Sequence, residues 1–365
     1  MSDYTPEDYR QQLDEKHQRT LEEFAEFGIS QLDIFASPWQ HYRMRAEFKA
    51  WHQDDQVHYA MFRTGNGRQV YTLDKYPPGS PAIQALMPEL REALNADEIL
   101  RRKLFQVEFL TSSTGEALVT LIYHRPLDHT WQDHATQLAA KLKIQVVGRS
   151  RNQKRILERD FVLEEFKVDG RSFVYQQLEG SFTQPNAAVC SHMLNWAVEH
   201  SRNFGGDLLE LYCGNGNFTL PLSRNFKRVL ATEVAKPAIH SALYNCQLNQ
   251  IDNISFVRMS SEDISGALNR VRAYERLKDI DLTNYEFSTV FVDPPRAGLD
   301  PLTLGLLQGF PNIIYISCNP QTLQENLRTL SVSHQFTHFA LFDQFPFTEH
   351  RECGVILHKR VCESA

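Results

Sequence analysis

Apolar and polar positions follow two different rhythms along the chain, and the change falls near residue 180. From residue 41 to 181 the pattern is mostly that of strands. Residues 105–110 and 117–123 flank Ser112-Ser113-Thr114-Gly115, which predicts a hairpin. Residues 161–168 and 172–178 flank Asp169-Gly170, a tight-hairpin pair. Between the two hairpins, residues 128–143 carry Trp131, Leu138 and Leu142 at helical spacing. At the start of the chain, Thr5-Pro6-Glu7-Asp8 reads as a helix beginning. A capping hydroxyl is followed by proline in the first turn and two acids at the positive dipole end. That helix is expected to run to Gly28.

Past residue 180 strands and helices alternate. Residues 186–203 read as a helix closed by Gly205-Gly206. Strands are expected at 207–212, 228–232, 254–257, 287–292, 313–317, 336–342 and 354–358, with helices between the first several. Such alternation builds a doubly wound α/β sheet that binds ligands at the carboxyl ends of its strands. The expected organisation is therefore an antiparallel α+β domain over residues 1–180 and a Rossmann-like α/β domain over 181–365. Two domains are the default for 365 residues. No internal repeat or low-complexity tract is visible.

Composition changes this picture little. The apolar fraction, 42%, is ordinary for a soluble globular chain. The net charge of −7 argues against a uniformly basic nucleic-acid binder, but phosphate binding needs only a local basic surface. Clusters of that kind stand at Arg43, Arg45 and Lys49, at Arg101, Arg102 and Lys103, and at Arg149, Arg151, Lys154 and Arg155. The cysteines at 190, 213, 246, 318, 353 and 362 form no Cys-x-x-Cys, and none precedes Cys190. A structural zinc or a cysteine-held iron–sulfur cluster is thus not expected. With no signal peptide and no apolar run of spanning length, a cytoplasmic protein with free thiols and no membrane partner is expected.

Three motifs carry the chemistry. Leu208-Leu209-Glu210-Leu211 runs into Tyr212-Cys213-Gly214-Asn215-Gly216-Asn217, a turn whose glycines let the backbone approach a ligand closely. The third glycine of a dinucleotide fingerprint is replaced by Thr219, so S-adenosylmethionine suits the turn better than a pyrophosphate ligand. Glu233, at the end of the second strand, is placed to accept ribose hydroxyls. Asp293-Pro294-Pro295-Arg296 ends the fourth strand. An aromatic shelf normally follows Asp-Pro-Pro in amine methylation, and Arg296 replaces it. Cys318-Asn319-Pro320 closes the fifth strand, which should lie beside the fourth. A reactive cysteine works as its thiolate, so the site is expected to depress the pKa of Cys318. A thiolate beside a methyl donor suits carbon 5 of uracil, too electron-poor to attack a sulfonium until a nucleophile adds at carbon 6. A base must then remove the carbon-5 proton. Phe347-Thr348-Glu349-His350-Arg351-Glu352 offers Glu349 and Glu352, and spacing does not choose between them.

With His41-Tyr42-Arg43-Met44-Arg45-Ala46-Glu47-Phe48 and Ser181-Phe182-Thr183-Gln184-Pro185-Asn186, these motifs resemble the RNA uracil-5-methyltransferase family, specifically its tRNA branch. The resemblance covers nearly the whole chain. It implies that Cys318 is the nucleophile and Glu352 the base. It further implies that Gln184, Tyr212, Asn217, Glu233 and Asp293 line the S-adenosylmethionine site. Phe105 matches an aromatic that stacks on RNA, and Arg43 and Arg45 are candidate RNA contacts. The choice of branch rests on the absence of an early four-cysteine motif and of an N-terminal RNA-binding barrel. The substrate it implies is the T-loop uridine, position 54, of tRNA, with other RNAs of T-loop-like fold as further partners and no obligate protein partner evident. An rRNA uridine methyltransferase, or an RNA-binding or remodelling protein on the same fold, are the competing readings.

Overall fold

The computed structural model describes residues 4–63 and 69–360, so Cys362 lies outside the described residues. The chain forms two compact units. One comprises Pro38–Glu165 and Gln176–Ala187. The other takes the residues up to Ser37, the segment Phe166–Tyr175 and everything from Ala188 onward. The expected division at residue 180 therefore needs correction at its start, since the first helix groups with the C-terminal unit.

The first unit holds a seven-stranded sheet in the order Gln69–Leu73, Gln56–Arg63, Arg45–Gln53, Leu104–Thr111, Ala117–Tyr123, Gln145–Ser150, Gln153–Ile156. Its pairs are antiparallel except one. Ala117–Tyr123 and Gln145–Ser150 run parallel, joined by the helix His129–Leu142, which Asp128 caps and Lys143 ends with φ +55°. Trp131 on that helix is fully buried with Phe48, Tyr59 and Phe109 of the sheet. A second helix, Pro81–Ala96, is not among the expected elements. Ile83, Leu86, Met87, Leu90, Ala93 and Leu94 bury at helical spacing, but Pro88 interrupts the pattern where a helix interior should not contain proline.

The second unit is built on an eight-stranded sheet in the order Asp33–Phe35, His334–Phe342, Glu352–Lys359, Asn312–Ser317, Phe287–Val292, Asp207–Leu211, Val229–Thr232, Ile254–Val257. Only Glu352–Lys359 is antiparallel to its neighbours. Each expected strand is present within two residues at either end. The order reverses beside Asp207–Leu211, whose neighbours are the second strand on one side and the fourth on the other. Such a reversal opens a crevice at the carboxyl ends of the strands. The helix Pro6–Phe24 starts at a reciprocal cap between Thr5 and Asp8 and continues as a tighter turn, Ala25–Phe27, that ends at Gly28. Phe24 is fully buried and its ring lies 4.8 Å from that of Phe339.

Candidate active site

Backbone register brings the chemical residues together. Leu211 pairs with Val292, and Val292 with Tyr315, so Tyr212 and Asp293 leave adjacent strands at the same level. Ser317 pairs with Cys353. Continuing that antiparallel register by one residue sets Cys318 opposite Glu352. Asp293, Cys318 and Glu352 thus share one edge of the sheet, at the carboxyl ends of two parallel strands and the amino end of the antiparallel third. Each feels the others electrostatically: both carboxyl groups raise the Cys318 pKa, and Asp293 raises that of Glu352.

The site does not depress the cysteine as expected. Burial, then the Glu352 and Asp293 carboxyls, push the Cys318 thiol up to about 11, against the opposing pull of Arg296. Desolvation also drives the carboxyls toward their neutral forms. Asp293 rises to about 7, and Glu352, only 5% exposed, is held well above the ordinary carboxylate range. Glu349 is in a different situation. Its side chain is 89% exposed and forms an ion pair with Arg19 at 2.7 Å.

Arg296 is the residue that sequence reasoning undervalued. Its guanidinium donates to His350 Nδ1 at 2.7 Å, and it lowers the pKa of both Cys318 and Glu352. Asn319 Nδ2 and Thr322 Oγ1 donate to its carbonyl, at 3.0 and 3.3 Å, tying the Asp-Pro-Pro-Arg loop to the helix Pro320–Leu330. Asn319 also caps that helix, accepting from Gln321 N at 3.1 Å. The signal in the sequence was the positive charge itself, directly after Asp-Pro-Pro.

The glycine turn lies across the strand reversal. Tyr212 is held at φ +61°, a conformation costly for a residue with a side chain, and its hydroxyl donates to Ser261 Oγ at 2.7 Å. Gly216 has φ +84°, and a Cβ there would come within 2.6 Å of Leu220 Cδ1. Gly214 N donates to Glu233 Oε2 at 3.2 Å, while Glu233 Oε1 accepts from Val234 and Ala235 N at 2.8 Å. Asn217 accepts from Tyr175 Oη through its carbonyl at 3.0 Å, and its Nδ2 donates to Cys190 Sγ at 3.5 Å. Two observations fit a polar ligand at the turn. A Cβ on Gly214 would meet no atom within 4 Å, so that side of the turn is open. Glu210, 1% exposed in a strand whose other residues are leucines and the ion-paired Asp207, keeps one carboxyl oxygen without a hydrogen bond. Its burial among leucines is the signal that could have marked Glu210 in the sequence.

The remaining expected residues lie in the first unit. Gln184 is half-buried beside Pro185, whose carbonyl accepts from Met44 N at 2.8 Å. Arg43 Nε donates to the Arg45 carbonyl at 3.1 Å, and Arg45 Nη1 to the Ser181 carbonyl at 2.7 Å. Phe105 falls at a register shift between Leu104 and Gln106, a bulge that re-aims one side chain. It is half-buried and stacked on His124 at 4.1 Å, with Lys49 Nζ 4.0 Å from the ring centre. Among the described residues it stands in none of the core clusters of the first unit. In the basic cluster at 149–155, Arg149 and Lys154 are ion-paired: they reach Glu179 at 2.5 and 3.1 Å, and Lys154 also reaches Asp160. Arg102 and Lys103 are exposed. Among the described residues no group of three or more His, Cys, Asp or Glu side chains could hold a metal ion, and no helix is long and apolar enough to cross a membrane.

Comparison with known proteins is consistent across the chain. The family model for tRNA (uracil-5-)-methyltransferases matches residues 8–360. A tRNA/tmRNA (uracil-C(5))-methyltransferase of Cellvibrio japonicus is 55% identical over 359 residues, covering 98% of each chain. One of the same name from Saccharophagus degradans is 55% identical over 97% of this chain and 98% of its own. Among solved structures, the Pyrococcus abyssi tRNA (uracil-54, C5)-methyltransferase in complex with S-adenosyl-L-homocysteine superposes with a TM-score of 0.74. It is 20% identical and covers 96% of this chain and 83% of its own, a likeness of fold.

Proposed function

The chain belongs to the tRNA (uracil-5-)-methyltransferase family, and from that premise we infer how its residues divide the reaction. The enzyme methylates carbon 5 of uracil in tRNA with S-adenosylmethionine as donor. The substrate position proposed is the T-loop uridine, position 54. Other RNAs with a T-loop-like fold are proposed as further substrates, in keeping with relatives named for tRNA and tmRNA together. The proposed compartment is the cytoplasm, where five free cysteines among the described residues fit a reducing environment.

In this reading Cys318 Sγ adds to carbon 6, and the carbon 5–carbon 6 π electrons move toward O4. The bound donor supplies an electrophilic methyl on a sulfonium. Carbon 5 would take that methyl as the sulfonium's sulfur–methyl bond breaks and a neutral thioether leaves. Glu352, which must first give up the proton that burial favours, then removes the carbon-5 proton so that the double bond re-forms and the carbon 6–sulfur bond breaks. Because the thiol of the free enzyme is held up near 11, the thiolate must be generated only as substrate and donor enter. Arg296, whose positive charge lowers it, favours that ionisation. Asp293, Tyr212, Asn217, Glu233 and Gln184 are proposed to hold the donor, and Phe105 with Arg43 and Arg45 the RNA.

The observation that supports this assignment most is the register that sets Cys318 opposite Glu352 with Asp293 on the adjoining strand. Mass spectrometry of nucleosides is the test. Unmodified tRNA incubated with enzyme and donor should yield 5-methyluridine, and Cys318→Ala should yield below about one per cent of the wild-type rate, as loss of a nucleophile demands. Ribosomal RNA methylated in preference to tRNA would overturn the substrate. Normal turnover by Cys318→Ala would overturn the nucleophile.

A further inference from the structure

The nine residues from Asp343 to Arg351 form neither helix nor strand, yet they deliver Glu352 to the head of its strand. The helix Pro6–Phe24 holds them along its length. Gln12 Oε1 accepts from Phe347 N at 2.5 Å. Lys16 Nζ donates to Asp343 Oδ1 at 2.7 Å and to the Phe345 carbonyl at 3.0 Å. Arg19 reaches Glu349 at 2.7 Å. Arg351, 5% exposed, donates to Thr20 Oγ1 at 3.1 Å and to Glu23 Oε2 at 2.7 Å. Residues 12, 16, 19, 20 and 23 recur at intervals of three and four, so these anchors share one helical face. Tyr4 stacks on Phe347 with ring centres 4.1 Å apart. Phe347 itself sits at φ +59°, a strained value for a residue with a side chain, and its N–H is the group that Gln12 fixes.

We propose that the helix Pro6–Phe24 is a clamp for the base, with Gln12 and Arg351 as positioning residues for Glu352 in the elimination step. The inference rests on the reading of Glu352 as base. Successive side chains of an extended chain point to opposite faces, so anchoring Arg351 on the helix turns Glu352 toward Cys318 and Asp293. Elimination needs the Glu352 carboxylate within hydrogen-bond reach of the carbon-5 proton. That proton passes to the carboxylate, the C–H electrons re-form the carbon 5–carbon 6 double bond, and the carbon 6–sulfur bond breaks to release the Cys318 thiolate. Addition and methyl transfer need only the sulfur and the donor. A loosened clamp therefore slows the last step selectively, and a displacement of about 1 Å suffices to cost up to about a hundredfold.

The test compares Gln12→Ala, Gln12→Glu and Glu352→Gln by denaturing gel and by single-turnover release of methylated tRNA. Gln12→Ala should bind tRNA and form the covalent adduct as the wild type does, then release product about tenfold more slowly, so that adduct accumulates. Gln12→Glu keeps the acceptor for Phe347 N–H and should restore release. The clamp is overturned if Gln12→Ala releases at the wild-type rate. It is equally overturned if adduct formation and release fall in proportion with melting temperature, the mark of a purely structural helix. If Glu352→Gln accumulates adduct and Gln12→Ala does not, the clamp alone fails. If Glu352→Gln accumulates none, the assignment of the base fails and the clamp with it.

Discussion

Buried carboxyls surround Cys318, and burial sets their charge before any ligand does. Asp293 rises from 3.8 to about 7 by desolvation, and Glu352 is held well above the ordinary carboxylate range by desolvation and the nearby Asp293. A carboxyl whose pKa is raised by folding stabilises the fold while it stays protonated. That contribution is whole below its unfolded pKa and is lost as pH rises through the folded one. The ligand-free enzyme should therefore lose thermal stability as pH climbs from about 4 to about 7, the span of the Asp293 shift. Differential scanning fluorimetry across that range checks this, with Asp293→Asn expected to flatten the slope. A wild-type melting temperature that rises steadily over the same range would contradict the argument. The Cys318 thiol shows the same physics from the other side. Sequence reasoning asked the resting site to favour a thiolate, and the folded site instead opposes one until opposing charge arrives.

At the scale of elements, small irregularities aim side chains that regular structure would hide. The shift between Leu104 and Gln106 turns Phe105 out of the alternation of its strand, where Lys49 and His124 flank it. A uridine drawn from folded RNA loses its stacking, a cost of a few kcal/mol that an aromatic face can offset. Phe105→Ala should accordingly weaken tRNA binding by about 1–3 kcal/mol while donor affinity and melting temperature hold. Titration of tRNA and of S-adenosylmethionine on the variant distinguishes this from loss of a packing residue, which would lower stability and spare RNA binding. The same scale explains one missed helix. Pro81–Ala96 has six buried residues at helical spacing, but Pro88 in its interior hides the pattern from any reading in which proline ends helices. By contrast Asp169-Gly170 was legible, because a two-residue turn with φ +48° and +74° admits few residue pairs.

Across the whole molecule, the two ends of the sequence meet in one unit. Lys16 and Asp343 are 6% and 0% exposed and pair at 2.7 Å across more than three hundred residues. Removing one partner of a buried pair strands the other, so Lys16→Met should cost about 3–5 kcal/mol. Lys16→Met with Asp343→Leu should recover most of that. Chemical denaturation of both single variants and the double variant gives the answer, and a double loss equal to the sum of the single losses would show that the pair is not coupled. This pairing also marks where sequence reading stops. Period, turn chemistry and capping are local, so the strands of the α/β unit, the helix start at Thr5 and the Asp169-Gly170 hairpin could all be read from consecutive residues. So could the motifs of the site, since Gly214-Asn215-Gly216, Asp293-Pro294-Pro295 and Cys318-Asn319-Pro320 each follow a strand. Which unit owns the first helix, and which of Glu349 and Glu352 is buried beside the cysteine, depended on contacts between residues remote in the chain. Those two glutamates stand three positions apart. Local spacing could not tell them apart, because burial is settled by the register of Glu352–Lys359 against Asn312–Ser317 and by a helix that begins at residue 6.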